Sequence, residues 1–135
     1  MVEAIWDCVP RDKHDLARAE RAVAVGWPGV RPIVPALLEW VQDINWPVAC
    51  LVLAPFLASL GGRIEEEVRV VLATDDVWKY WVISEVVGKW PREEIEPLAP
   101  VLVRIATRPT KGEKFEEVDL VAKEVLAYIG GDDHD

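Results

Sequence analysis

Ligands for a metal or a redox pair are scarce in this chain. There are two cysteines, Cys8 and Cys50, and two histidines, His14 and His134. None stands at the spacing of a zinc site or of a paired thiol, so no metal and no cofactor is expected. A glycine-rich phosphate loop and a nucleophile elbow are also missing, and no residue is assigned a catalytic role. No basic start followed by a long apolar stretch opens the chain, so no secretory leader is expected. The longest apolar run, Trp46 to Ala58, is too short to span a bilayer and is broken by prolines. A cytoplasmic location, with no membrane, is the expectation. Basic side chains are in the minority, 15 against 24 acidic ones, for a net charge of −9. That sign opposes the counterion release on which nucleic-acid binding depends, so nucleic acid is not expected as a partner. A basic protein partner fits better, through electrostatic steering.

Tryptophan, by contrast, is abundant. Seven of them set where large buried areas must lie. With an apolar fraction of 51%, the chain is long enough for one domain with its own core. The expected layout is an N-terminal segment over residues 1–10, a helical domain over 11–130 and a loose acidic tail over 131–135.

The pattern is helical almost throughout. Asp12, with Asp15 three positions on, reads as an N-cap pair opening a helix that ends near Gly26. Its apolar face carries Leu16, Ala19 and Val23. A second helix runs from about Val30 to Gln42. Asn45 and Pro47 open a third, ending at Gly61-Gly62, apolar on every side and expected to be buried all round. Pro55 should kink it, and Cys50 within it reads as a small buried residue. The fourth, Ile64 to Ala73, turns Ile64, Val68, Val71 and Leu72 inward. Asp75 caps a fifth helix running to about Lys89. Pro91 starts a sixth segment, interrupted at Pro97 and Pro100 and ending near Thr107. The last helix runs from about Phe115 to Ile129, with Val118, Ala122, Val125 and Leu126 on one face.

No segment alternates with a period of two, so no sheet is expected. The second, fourth and sixth helices align at a spacing of about 34 residues, as stacked helical hairpins do. Val30, Ile64 and Leu98 correspond, as do Val34, Val68 and Leu102, and Leu37, Val71 and Ile105. The fold class is therefore all-α, an α-solenoid of about three and a half antiparallel hairpins.

In such a stack the connections 12–15, 43–47, 75–81 and 108–114 share one edge. The candidate ligand or partner edge comprises Asp12, His14, Asp43, Asn45, Trp46, Asp75, Asp76, Trp78, Lys79, Tyr80 and Trp81. Carboxylates beside a histidine suit acid–base work or a hydroxyl-bearing or cationic ligand. A plainer reading competes. Asp12, Asn45 and Asp75 stand where helix N-caps belong, each contributing roughly 1 kcal/mol. Trp46, Trp78 and Trp81 suit the core, with Asp43 as acceptor for a buried indole N–H. Lys79 and Tyr80 project differently from Trp78 and Trp81 and are expected at the surface, as is His14.

At these residues the chain resembles a known family. Pro10-Arg11-Asp12-Lys13-His14-Asp15, Asp43-Ile44-Asn45-Trp46-Pro47-Val48-Ala49 and Asp76-Val77-Trp78-Lys79-Tyr80-Trp81, in that order, are similar to the bacterial domain of unknown function 5071. The resemblance spans about residues 10 to 128. It implies a HEAT-like all-helical domain and carries no established activity or catalytic residues. The wholly apolar stretch Cys50 to Ala58 departs from the polar positions expected after Ala49, and suggests an interface or a deeply buried helix.

Three functions follow as expectations. The first is a cytoplasmic protein-interaction module, immunity- or antitoxin-like in one version, binding a basic partner. The alternative is a small-ligand binder or enzyme on the Asp/Trp edge, distantly like the glycosylases that share this kind of fold. A homodimer through the third or last helix is the remaining possibility.

Overall fold

The structure is a computed structural model describing residues 2–130, with side chains from Ile5 onward. The tail expected at 131–135 lies outside the described residues. Among these there is no strand, and the fold is all-α.

A 3₁₀ helix, Val2–Cys8, lies against α1 (Leu16–Val25) and buries Cys8. The cap of α1 is Asp15, not Asp12. Asp15 accepts from the Arg18 amide at 3.4 Å and from the Arg11 amide at 3.0 Å. The Arg11 bond is the main reason that its carboxyl titrates below the ordinary value. Asp12 instead accepts from the His14 amide at 2.9 Å, closing the turn that precedes the cap. Ala19 and Ala22 form the buried face of α1, whereas Val23 is exposed.

The second helix begins as a 3₁₀ turn (Arg31–Ile33), continues as α2 (Val34–Glu39) and ends as another 3₁₀ turn (Trp40–Gln42). The third is π-helical over Val48–Leu53 before becoming α3 (Ala54–Leu60). Pro55 accounts for the wide turns. It has no N–H for the Leu51 carbonyl and its ring would collide with that oxygen in an α-helix. The Ala54 amide accordingly reaches back to the Ala49 carbonyl, five residues away, as a π-bulge does. This helix is not buried all round. Cys50, Leu51 and Pro55 are exposed, Leu51 by 64%, so Cys50 is a surface thiol and Cys8 the buried one.

Gly61, at φ 62°, ends α3, and a 3₁₀ turn leads into α4 (Glu65–Val71). By length and composition the stretch Val48–Val71 would pass for a membrane span, with 24 residues and mean hydropathy 1.5. It is interrupted at Gly61, however, and Ala49, Leu53, Leu57, Val68 and Val71 are buried within this fold. Beyond it lie α5 (Asp76–Glu85), a 3₁₀ turn (Val87–Lys89) and α6 (Arg92–Ile95). The 3₁₀ turn Glu96–Leu98 follows, then α7 (Ala99–Thr107). Pro97 and Pro100 sit in the first turns of their segments, where a missing N–H costs nothing. The last helix is broken into α8 (Lys111–Phe115) and α9 (Val118–Gly130). The break is at Glu117, whose φ is 63°. Phe115, expected to begin the last helix, instead ends α8 and is 83% exposed.

The core follows the repeat register. Val30, Ile64 and Leu98, then Val34, Val68 and Leu102, then Leu37, Val71 and Ile105 are all buried, none more than 2% exposed. Helix α9 packs across α5 and α7, while α1 packs on the π-helical stretch.

Candidate functional site

Hydrogen bonds tie the second connection to the first, and the third to α2 and to the fourth. The Val48 amide, just after the second connection, donates to the Lys13 carbonyl in the first at 3.1 Å. The Trp78 indole N–H donates to the Leu38 carbonyl of α2 at 2.9 Å. The Lys79 ammonium donates to Glu113 at 2.7 Å.

The carboxylates at the turns are held by backbone amides. Asp75, with an extended backbone, caps α5 by accepting from the Trp78 amide at 3.1 Å. Asp43 accepts from the Asn45 amide at 2.9 Å, so it shapes its own turn and is not the indole acceptor. The carbonyl of Leu38 has that role for Trp78. Asn45 caps nothing, because Pro47 stands directly before the third helix and no side chain caps it there. His14 is exposed, as expected, while Trp46 is half-buried and meets Trp40 edge-on at 5.6 Å.

Lys79 reverses its expectation. It is buried, 6% exposed, and is flanked by Asp76 at 2.9 Å and Glu113 at 2.7 Å. Glu113, wholly buried, also receives both terminal nitrogens of Arg104, at 2.6 and 2.9 Å. It further completes a capping box with Thr110, whose amide it accepts at 2.8 Å. Burial pushes the Glu113 carboxyl up. The Arg104, Lys79 and Thr110 hydrogen bonds and the Lys79 charge outweigh it and hold the group at about 2. Burial likewise pushes Lys79 down, but its bonds to Glu113 and Asp76 win and its value is raised. The bidentate bond to Glu113 raises Arg104. Lys79, Arg104 and Glu113 therefore stay charged over the ordinary pH range, which suits a fixed joint and not a proton donor or acceptor.

Glu113 and Arg104 were not among the sequence candidates. Two signals point to Glu113. Thr110-Lys111-Gly112-Glu113 is a capping-box pattern, and Glu113 stands 34 positions after Lys79, the interval at which the apolar positions recur.

Tyr80 and Trp81 meet at right angles, with centroids 4.9 Å apart and an interplanar angle of 86°. With Val77, Glu116 and Glu117 they line a cavity of about 240 Å³. Trp78 and Trp81, although three apart, thus serve different surroundings. On another face Glu20, Val23, Leu51, Val52, Pro55, Phe56 and Ser59 line a groove of about 440 Å³. No group of three or more His, Cys, Asp and Glu side chains that would hold a metal occurs among the described residues.

The helices, the buried core and the charged joint between α5 and α8 define an all-α protein. The chain belongs to the family described as a domain of unknown function, DUF5071, which it matches over residues 8–126. No curated protein matches it.

Proposed function

We propose that this protein is a cytoplasmic interaction module, HEAT-like and built of about three and a half helical hairpins, that binds a basic partner protein. Buried residues repeating at about 34 positions, and bonds between successive connections, support the hairpin stack. Leu51 is the observation that carries the binding reading. A leucine left 64% exposed, in a groove with Val23 and Pro55, is the kind of apolar patch that marks an interaction site. The net charge of −9 favours a basic protein as occupant, steered by charge and anchored by an apolar side chain. Masking of a basic toxin is one form such binding takes.

The acid–base reading of the edge has less support, because Asp12, Asp43 and Asp75 are engaged by backbone amides and Asp76 by Lys79.

Affinity capture from the source cells, at low and moderate salt, tests the proposal with wild type beside Leu51→Asp. The expected result is a basic protein held by the wild type, weakened by salt and lost with the variant, whose melting temperature is unchanged. Enrichment of no protein at either salt, or equal capture by Leu51→Asp, would overturn it. Light scattering distinguishes a second copy as occupant: a species of 15.2 kDa leaves the groove to a partner, and a dimer abolished by Leu51→Asp assigns it to self-association.

A further inference from the structure

The cavity beside α5 has the chemistry of a cation site. Its two aromatic rings stand at 86°, so they form a corner with one ring face turned across the edge of the other. Glu116 and Glu117 complete the wall. Among the described residues no basic side chain pairs with either carboxylate, in contrast to Glu113, Asp76 and Glu65, each of which has one. The backbone holds the two glutamates in place. The Glu116 amide donates to the Gly112 carbonyl at 2.9 Å and the Glu117 amide to the Lys114 carbonyl at 3.1 Å. Glu117, at φ 63°, turns the chain between α8 and α9. The charged joint fixes the opposite wall, since Lys79 is the immediate neighbour of Tyr80 and binds Glu113, three positions before Glu116. Aromatic faces and unpaired carboxylates attract the same ligand, a cation with a flat or weakly hydrated surface.

We propose that Val77, Tyr80, Trp81, Glu116 and Glu117 form a binding site for a guanidinium group, that of an arginine side chain. Guanidinium is planar, stacks on an indole or phenol ring and bonds carboxylates with several N–H groups, whereas ammonium is compact and strongly hydrated. A cavity of about 240 Å³ admits such a head group with part of its methylene stem along Val77. The site concerns ligand chemistry alone. Its failure would leave the reading of the Leu51 groove standing, and failure of that reading would leave this one.

Nuclear magnetic resonance of the seven indole N–H groups tests the assignment, with Trp81 identified by its loss in Trp81→Phe. The probes are N-acetyl-arginine amide, the lysine counterpart and the neutral isostere N-acetyl-citrulline amide. A saturable shift of the Trp81 signal is expected with arginine, at least threefold weaker with lysine and absent with citrulline. The double variant Glu116→Gln/Glu117→Gln should weaken arginine binding at least fivefold while leaving the other indole signals in place. No saturable Trp81 shift, an equal response to citrulline, or unchanged affinity in the double variant would overturn the proposal. A peptide carrying two arginines, compared with free arginine amide, separates a protein source from a small metabolite. Tighter binding by the peptide supports the side chain of a protein, and equal binding overturns that part.

Discussion

Lys79 Nζ stands 2.7 Å from Glu113 Oε2, and the two residues are 34 positions apart, the interval that also relates Val34 to Val68 and Val68 to Leu102. The joint between α5 and α8 thus spans the same interval as the buried positions. One side of it bears a buried ammonium and the other a buried carboxylate. Charges so placed need each other, because desolvation of either alone costs several kcal/mol. The carboxylates and the ammonium expected as chemistry along this edge are engaged in holding the connections together.

The pH dependence of stability follows from Glu113. Its carboxyl titrates at about 2 instead of 4.5. A depressed carboxylate stabilises the folded state above its unfolded value, and that contribution disappears as pH falls through the folded value. The loss should thus run from about pH 4.5 down to about pH 2. Urea unfolding at neutral pH and near pH 3 should show a larger fall for wild type than for Glu113→Gln, the other carboxylates being common to both. Equal falls would contradict the assignment.

Gly112 gives a second test. A Cβ there would fall on the Asp76 carboxylate. Alanine in a helix ordinarily stabilises by up to about 1 kcal/mol over glycine, but Gly112→Ala is expected to cost about 1 kcal/mol through crowding. Asp76 would have to swing away from Lys79. In an Asp76→Ala background the same change should become neutral or stabilising, and an unaltered cost would show that the crowding lies elsewhere.

The two cysteines should differ in reactivity. Cys50 is exposed and Cys8 buried, so a thiol-alkylating reagent should label one cysteine per native chain, at Cys50, and both after unfolding. Mass spectrometry of the labelled peptides decides it. Native labelling of Cys8 before Cys50 would contradict both the burial of Cys8 beneath α1 and the exposed face of the third helix.

Much of the fold was legible in the sequence because buried positions recur at a fixed interval. Val30, Ile64 and Leu98 could be matched before any contact was known, and all three are wholly buried. Asp75 was legible as a cap because capping is local. Lys79 was not. Its distance from the Trp78 and Trp81 positions on the helix suggested solvent, yet α9 packs on α5 as well, and the partner that makes burial tolerable lies 34 residues away. The exposed face at Cys50 and Leu51 was hidden for a different reason. A run with no polar residue has no periodicity to mark its outer side, and Pro55 widens the helix into π turns, shifting which residues face outward.

The central claim is that the edge marked by Lys79 is a structural joint. A double-mutant cycle between Lys79→Met and Glu113→Leu, read by urea unfolding at neutral pH, tests it most directly. Each single change leaves a buried charge short of its partner and should cost about 3 kcal/mol, the lower end for a broken buried pair, since Arg104 and Asp76 remain. The double variant should cost at least about 2 kcal/mol less than the sum of the two. Additive costs, each below about 1 kcal/mol, would contradict the account and return Lys79 to the list of groups free to meet a ligand.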